Sequence, residues 1–225
     1  LGDTLLSQLK FDTLAGTARI LEMTSPRSDL NVEAVHEVLD EIRQVVRHRA
    51  DESGLEFSLR QYLRLISDRL GLRFECSEFE LEREFFVAAV LQEIEPGVME
   101  VLSRLQNLNV PMGIISNSIL SGEVLSWDLE RYGLRTFFRF LMSSADYGLR
   151  KPHRPLFLAA AARLGFSPEE IWFIGDLPKY DILGAQGAGM KALWYNRRKE
   201  TEELIRPDLE IHSWKEFQVF ISHWS

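Results

Sequence analysis

An apolar run, Ile171-Trp172-Phe173-Ile174, stops at Gly175-Asp176, and a second carboxylate, Asp181, follows five positions later. A short apolar run between breaking residues reads as a buried strand. A buried strand that ends in an acid sets that charge at the carboxyl edge of a sheet, where open α/β folds bind their ligands. Two acids this close repel unless a cation or hydrogen-bond donors stand between them. Hard divalent ions such as Mg²⁺ favour oxygen sites of this kind. On its own the segment reads equally well as a loop carrying two solvated acids.

The chain around it alternates between two periodicities. Val98, Met99, Leu102, Leu105 and Leu108 recur at helical spacing after Pro96-Gly97. Residues 110–115 read as a short strand ending at Ser116-Asn117, and 120–132 as a helix stopped by Gly133. Residues 137–142 form the next expected strand, 155–164 an Ala-rich helix closed by Gly165, and 171–174 another strand. A short helix over 182–187 and a strand over 191–195 follow. Strands separated by helices imply a parallel, doubly wound α/β sheet, Rossmann-like in layout.

Residues 9–94 read differently. Helical stripes run through 32–49 (Val35, Val38, Leu39, Ile42, Val46), 59–70 (Leu63, Ile66, Leu70) and 77–91 (Phe79, Phe86, Val90), with no convincing strand between them. Asp29 or Asn31 suits the first N-cap, and Ser77 with Glu80 suits a capping box. The expected organisation is an α/β core of residues 1–8 and 95–225, with an all-helical cap of residues 9–94 inserted through two strand-like linkers.

Composition narrows the function classes. The 225 residues carry a formal charge of −8, which argues against non-specific binding to nucleic acid or anionic membrane. No apolar run approaches the roughly 18 to 20 residues of a membrane span, and the start shows no secretion signal. The single cysteine, Cys76, cannot form an intramolecular disulfide and fits a cytoplasmic setting. His36, His48, His212 and His223 show no metal-ligand spacing, and the five tryptophans read as packing residues.

Four short pieces carry chemistry. Leu1-Gly2-Asp3-Thr4 opens the chain, and Ile114-Ile115-Ser116-Asn117-Ser118 ends one strand. Gly148-Leu149-Arg150-Lys151-Pro152 follows the next strand, and Gly175-Asp176 with Asp181 ends a third. Together they offer hydroxyl and backbone donors, a cation and two carboxylates, a set able to hold a phosphoryl group.

In order and spacing these pieces resemble the haloacid dehalogenase superfamily, over most of residues 95–196. The resemblance implies a two-step phosphoryl transfer through an aspartyl phosphate. Its nucleophilic Asp, and the strand that carries it, would lie just upstream of Leu1. Gly2 stands where relatives carry the acid/base Asp, which puts the protonation step in question. The implied catalytic residues are Ser116, Lys151 and Asp176. Ser116, Asn117, Lys151 and Asp3 would hold phosphate, and the Gly2 carbonyl, Asp176 and Asp181 would hold Mg²⁺. Asp12, in Phe11-Asp12-Thr13-Leu14-Ala15-Gly16-Thr17, imitates the nucleophile motif but has one residue too many before its Gly-Thr pair. His153 reads as a substrate-neutral replacement, and Arg19, Arg47 and His48 are candidate cap residues facing substrate.

The expectation is therefore a Mg²⁺-dependent phosphatase of a small phosphorylated metabolite, monomeric or homodimeric. The alternatives are a metal-independent dehalogenase-type hydrolase and a non-catalytic protein of the same fold.

Overall fold

A computed structural model describes residues 1–25 and 29–224, with 47–52 described by backbone alone. The elements run β1 (Leu6–Phe11), α1 (Thr13–Glu22), α2 (Val32–Ser53), α3 (Leu59–Leu70), α4 (Glu78–Ala89) and β2 (Val90–Ile94). Then come α5 (Val98–Asn107), β3 (Ile114–Ser116), α6 (Gly122–Arg131), β4 (Leu141–Ser143), α7 (Ser144–Tyr147) and α8 (Arg154–Leu164). The chain ends with β5 (Trp172–Gly175), α9 (Leu183–Ala188), β6 (Lys191–Tyr195), β7 (Leu209–Ile211) and α10 (Trp214–Phe220).

The fold is mixed α/β with parallel pairing. β3 pairs with β4, and β6 pairs with β5 on one side and β7 on the other, all in parallel. Apolar side chains cover both faces of these strands. One cluster gathers Val101 and Leu102 of α5, Leu129 of α6 and Phe217 of α10 around Leu193. The other gathers Leu156 and Phe157 of α8 and Ala185 of α9 around Met142 and Trp194. Among the described residues β3 and β5 do not pair, and an apolar cavity of about 440 Å³ lies between them, lined also by Leu1, Thr4 and Leu5.

Several sequence expectations shift. The strand expected over 110–115 begins only at Ile114, because Pro111 has no N–H to give a ladder. That expected over 137–142 begins at Leu141, after a 3₁₀ turn at Arg135–Phe137. The helix expected over 77–91 ends at Ala89. Val90 and Leu91 instead join an antiparallel ribbon with β1, Leu6 opposite Ile94 and Phe11 opposite Val90. The ribbon lies where two strand-like linkers were expected, and among the described residues no named strand lies between α1 and α4. Four of the six β1 residues are exposed, so β1 shows little apolar alternation.

The helices between β1 and β2 form two apolar clusters, one of them shared with Leu120, Val124 and Leu125 of the β3–α6 segment. Asp12 caps α1 by accepting from the Ala15 N–H at 2.9 Å and pairs with Lys10, so its carboxylate has structural work. Gly16 on α1 lets the Phe85 ring of α4 lie against the backbone, where a side chain would overlap it. Ser58 and Ser77 make capping boxes with Gln61 and Glu80. Among the described residues no helix is long and apolar enough to cross a membrane.

Candidate active site

Strand β5 delivers Asp176 at its carboxyl end. Its Oδ1 accepts from the Thr4 hydroxyl at 2.8 Å, and Trp194 Nε1 donates to its backbone carbonyl at 3.0 Å. Trp214 Nε1 in turn donates to the Thr4 carbonyl at 2.8 Å. Two tryptophans read from sequence as packing thus also fix the two loops that meet here. Burial, and next the charge of Asp181, hold the Asp176 carboxyl above its usual range; the Thr4 hydroxyl and Lys151 pull the other way.

Asp181 folds back over Gly175. A side chain at 175 would overlap its carboxylate, which is why a glycine sits before the acid. Asp181 Oδ2 accepts from the Leu177 N–H at 2.9 Å, and Oδ1 accepts from Lys151 Nζ at 2.5 Å. Each of its oxygens thus accepts one hydrogen bond. The Asp176 Oδ2 atom carries no hydrogen bond among the described residues.

Lys151 is held from both ends. Its ammonium meets Asp181 and sits 5.5 Å from the Phe173 ring centre. Its backbone is clasped by Asn117, which accepts the Lys151 N–H at 2.7 Å and donates to the Lys151 carbonyl at 3.0 Å. Asn117 therefore ties the strand-end loop of β3 to the lysine loop. Ser116, buried beside it, lines one cavity with Leu1 and Gly2. Asp176 is linked to the same first loop through the Thr4 hydroxyl, and Lys151 through Asp181 to the loop after β5.

Asp3 takes a left-handed backbone, φ 52°, and aims its carboxylate at Arg198 (3.3 Å) and Arg197 (3.7 Å). Arg19 is committed to Glu84 and Glu22, and the side chains of Arg47 and His48 lie outside those described. His153 Nε2 bonds the Ser53 carbonyl at 2.9 Å, and its ring occupies the space that a side chain at Gly54 would take. His153 thus docks the segment after α2, a role the sequence did not show. Glu56 was missed as well: it accepts from the Ser144 hydroxyl at 2.6 Å and faces Arg150 at 3.4 Å. No local pattern could have exposed a pair 88 residues apart.

The donor set is what a phosphoryl group needs: a hydroxyl, loop N–H groups, one buried ammonium and a partly free carboxylate. A parallel α/β core with such groups at its strand ends offers a site able to hold an anion. The haloacid dehalogenase-like hydrolase family matches residues 28–195. The chain belongs to that family.

A glyceraldehyde 3-phosphate phosphatase of Methanopyrus kandleri is 34% identical over 122 residues, 52% of this chain and 51% of the relative. The pyrimidine 5'-nucleotidase YjjG of Escherichia coli is 32% identical over 129 residues, 56% of each. The chain thus spans about half the length of the curated relatives it matches. A HAD phosphatase structure from Thermococcus onnurineus superposes with a TM-score of 0.65 at 20% identity, covering 98% of this chain and 94% of that one. A 2-haloacid dehalogenase structure from Pseudomonas syringae gives 0.62 at 24%, covering 99% and 96%. At these identities the structures speak for the fold alone.

Proposed function

We propose that this chain is a phosphatase of small phosphorylated metabolites, dependent on Mg²⁺. The observation that carries the reading is the chain of contacts that joins the Ser116–Asn117 loop to Lys151, Lys151 to Asp181, and Asp176 to Thr4 of the first loop. The names of the relatives support it, since one is a glyceraldehyde 3-phosphate phosphatase and another a phosphoserine phosphatase.

The roles follow from the geometry. Ser116 and the Asn117 loop bind phosphate oxygens, and Asp3 fixes the first loop through its arginines. Lys151 neutralises phosphate charge while Asp181 holds its ammonium in place. The free oxygen of Asp176 and the Gly2 carbonyl are hard donors of the kind Mg²⁺ takes alongside several waters, with Asp181 orienting from behind. When bound, the ion would offset phosphoryl charge. In this reading the attacking carboxylate, which splits one step into two, is the Asp that the family resemblance puts before Gly2. Among the described residues β3 and β5 do not pair, and the apolar cavity between them suits a strand that would carry it.

Residues 9–94 act in this reading as the cap that excludes water. Their docking points support it. Glu56 N–H bonds the Gly148 carbonyl at 3.0 Å, Arg150 N–H bonds that of Gly54 at 2.8 Å, and Leu59 N–H bonds that of Ile119 at 2.7 Å. The free thiol of Cys76 suits a cytoplasmic enzyme.

The test is turnover of a phosphomonoester panel, with and without chelator, by the chain extended upstream of Leu1. Metal-dependent hydrolysis that Asp176→Asn abolishes is the expected result. Hydrolysis unchanged by chelator would overturn the reading.

A further inference from the structure

A cavity of about 190 Å³ runs from the site toward the helices. Leu1, Gly2 and Ser116–Asn117–Ser118 form one end. Its far walls are apolar: Phe11 of β1, Phe85 and Phe86 of α4, and Leu125 of α6. Three polar side chains reach it, Gln8, Gln92 and Asp128. Asp128 is already committed, accepting from Gln92 Nε2 through one oxygen and from Arg131 Nη1 at 3.2 Å through the other. Gln8 offers a whole amide and Gln92 its carbonyl oxygen. Among the described residues no Lys, Arg or His lines the cavity.

Resting on the phosphatase reading, we propose that this cavity selects phosphomonoesters whose organic part is uncharged and apolar-faced, and rejects those bearing a second anion. The phosphate end carries the Ser116–Ser118 hydroxyl and amide groups, with Lys151 tied behind Asn117; the far end borders no cation among the described residues. A carboxylate or second phosphate placed there loses its water and meets Asp128 instead of a counter-charge. Asp128 itself shows how the wall treats anions, since burial pushes its carboxyl up to about 6. A flat or aliphatic group instead meets aromatic faces, and a hydroxyl, carbonyl or amide on it finds the two glutamines.

The experiment is equilibrium binding to the 225-residue chain, followed by titration calorimetry and by the NMR signals of Phe86. The probes are inorganic phosphate, phenyl phosphate, phosphoglycolate and benzyl alcohol. Phenyl phosphate should bind about tenfold more tightly than inorganic phosphate, and phosphoglycolate no more tightly than inorganic phosphate. Phe11→Arg, at a wall position 47% exposed, should raise phosphoglycolate to the level of phenyl phosphate. Phosphoglycolate bound as tightly as phenyl phosphate by the unaltered chain would overturn the assignment and leave the phosphatase reading standing. Failure of all three phosphates to bind, with benzyl alcohol still binding, would overturn both.

Discussion

Lys151 donates its ammonium to Asp181 Oδ1 at 2.5 Å, and the two side chains are only 9% and 2% exposed. A pair so deeply buried has lost most of its hydration, and each charge depends on the other. Lys151→Met should therefore lower unfolding free energy by about 3 kcal/mol, because Asp181 is left buried and unpaired. The double variant Lys151→Met/Asp181→Leu should recover much of that loss. Urea denaturation of both variants checks the ordering; a double variant less stable than Lys151→Met would refute it.

Gly175 and Asp181 are similarly bound by shape. Gly175→Ala places a methyl group where the Asp181 carboxylate lies, so the acid must swing away from Leu177 and Lys151. The expected cost is about 1–3 kcal/mol, with phosphate binding reduced alongside. A crystal structure of the variant with Asp181 unmoved would contradict this.

Asp128 supplies a pH dependence. Burial raises its carboxyl from 3.8 to about 6, so between those values the folded protein holds a proton that the unfolded chain releases. Stability contributed by this group is highest at low pH and falls as pH rises through the window, the penalty being complete above it. Asp128→Asn keeps an acceptor oxygen for Gln92. It should be more stable than the unaltered protein at neutral pH, by about 1–2 kcal/mol, with the difference vanishing below about pH 4. Thermal melts across pH test this; a difference that grows on acidification would reverse the sign.

Glu82 is fully buried on α4, yet accepts from Arg60 Nε of α3 at 2.7 Å and from the Ser121 hydroxyl before α6 at 2.6 Å. It joins the helical block to the β3–α6 segment. Glu82→Leu should cost about 3 kcal/mol and speed hydrogen exchange at Leu59, whose N–H bonds Ile119 beside this junction. Unchanged exchange at Leu59 would show that Glu82 does not hold the two together.

The sequence by itself determined the elements whose signal is local. The helix over Leu59–Leu70 and the strand over Lys191–Tyr195 lie where their periodicities place them. Asp176 and Ser116 were legible as strand-end residues, because a buried strand must be apolar up to the point where it leaves the core. The ribbon β1–β2 was legible only as two strand-like linkers: most of β1 is exposed, so its pairing and register come from its ladder with β2. α1 and α10 also passed unread, although Asp12 and Ser213 cap them. Tertiary structure alone decided that Thr4 meets Asp176, that Lys151 meets Asp181 rather than solvent, and that Glu56 and His153 dock the helices on the lysine loop. Backbone geometry writes periodicity into neighbouring residues. A hydrogen bond spanning 172 positions exists only once packing has closed the chain between them.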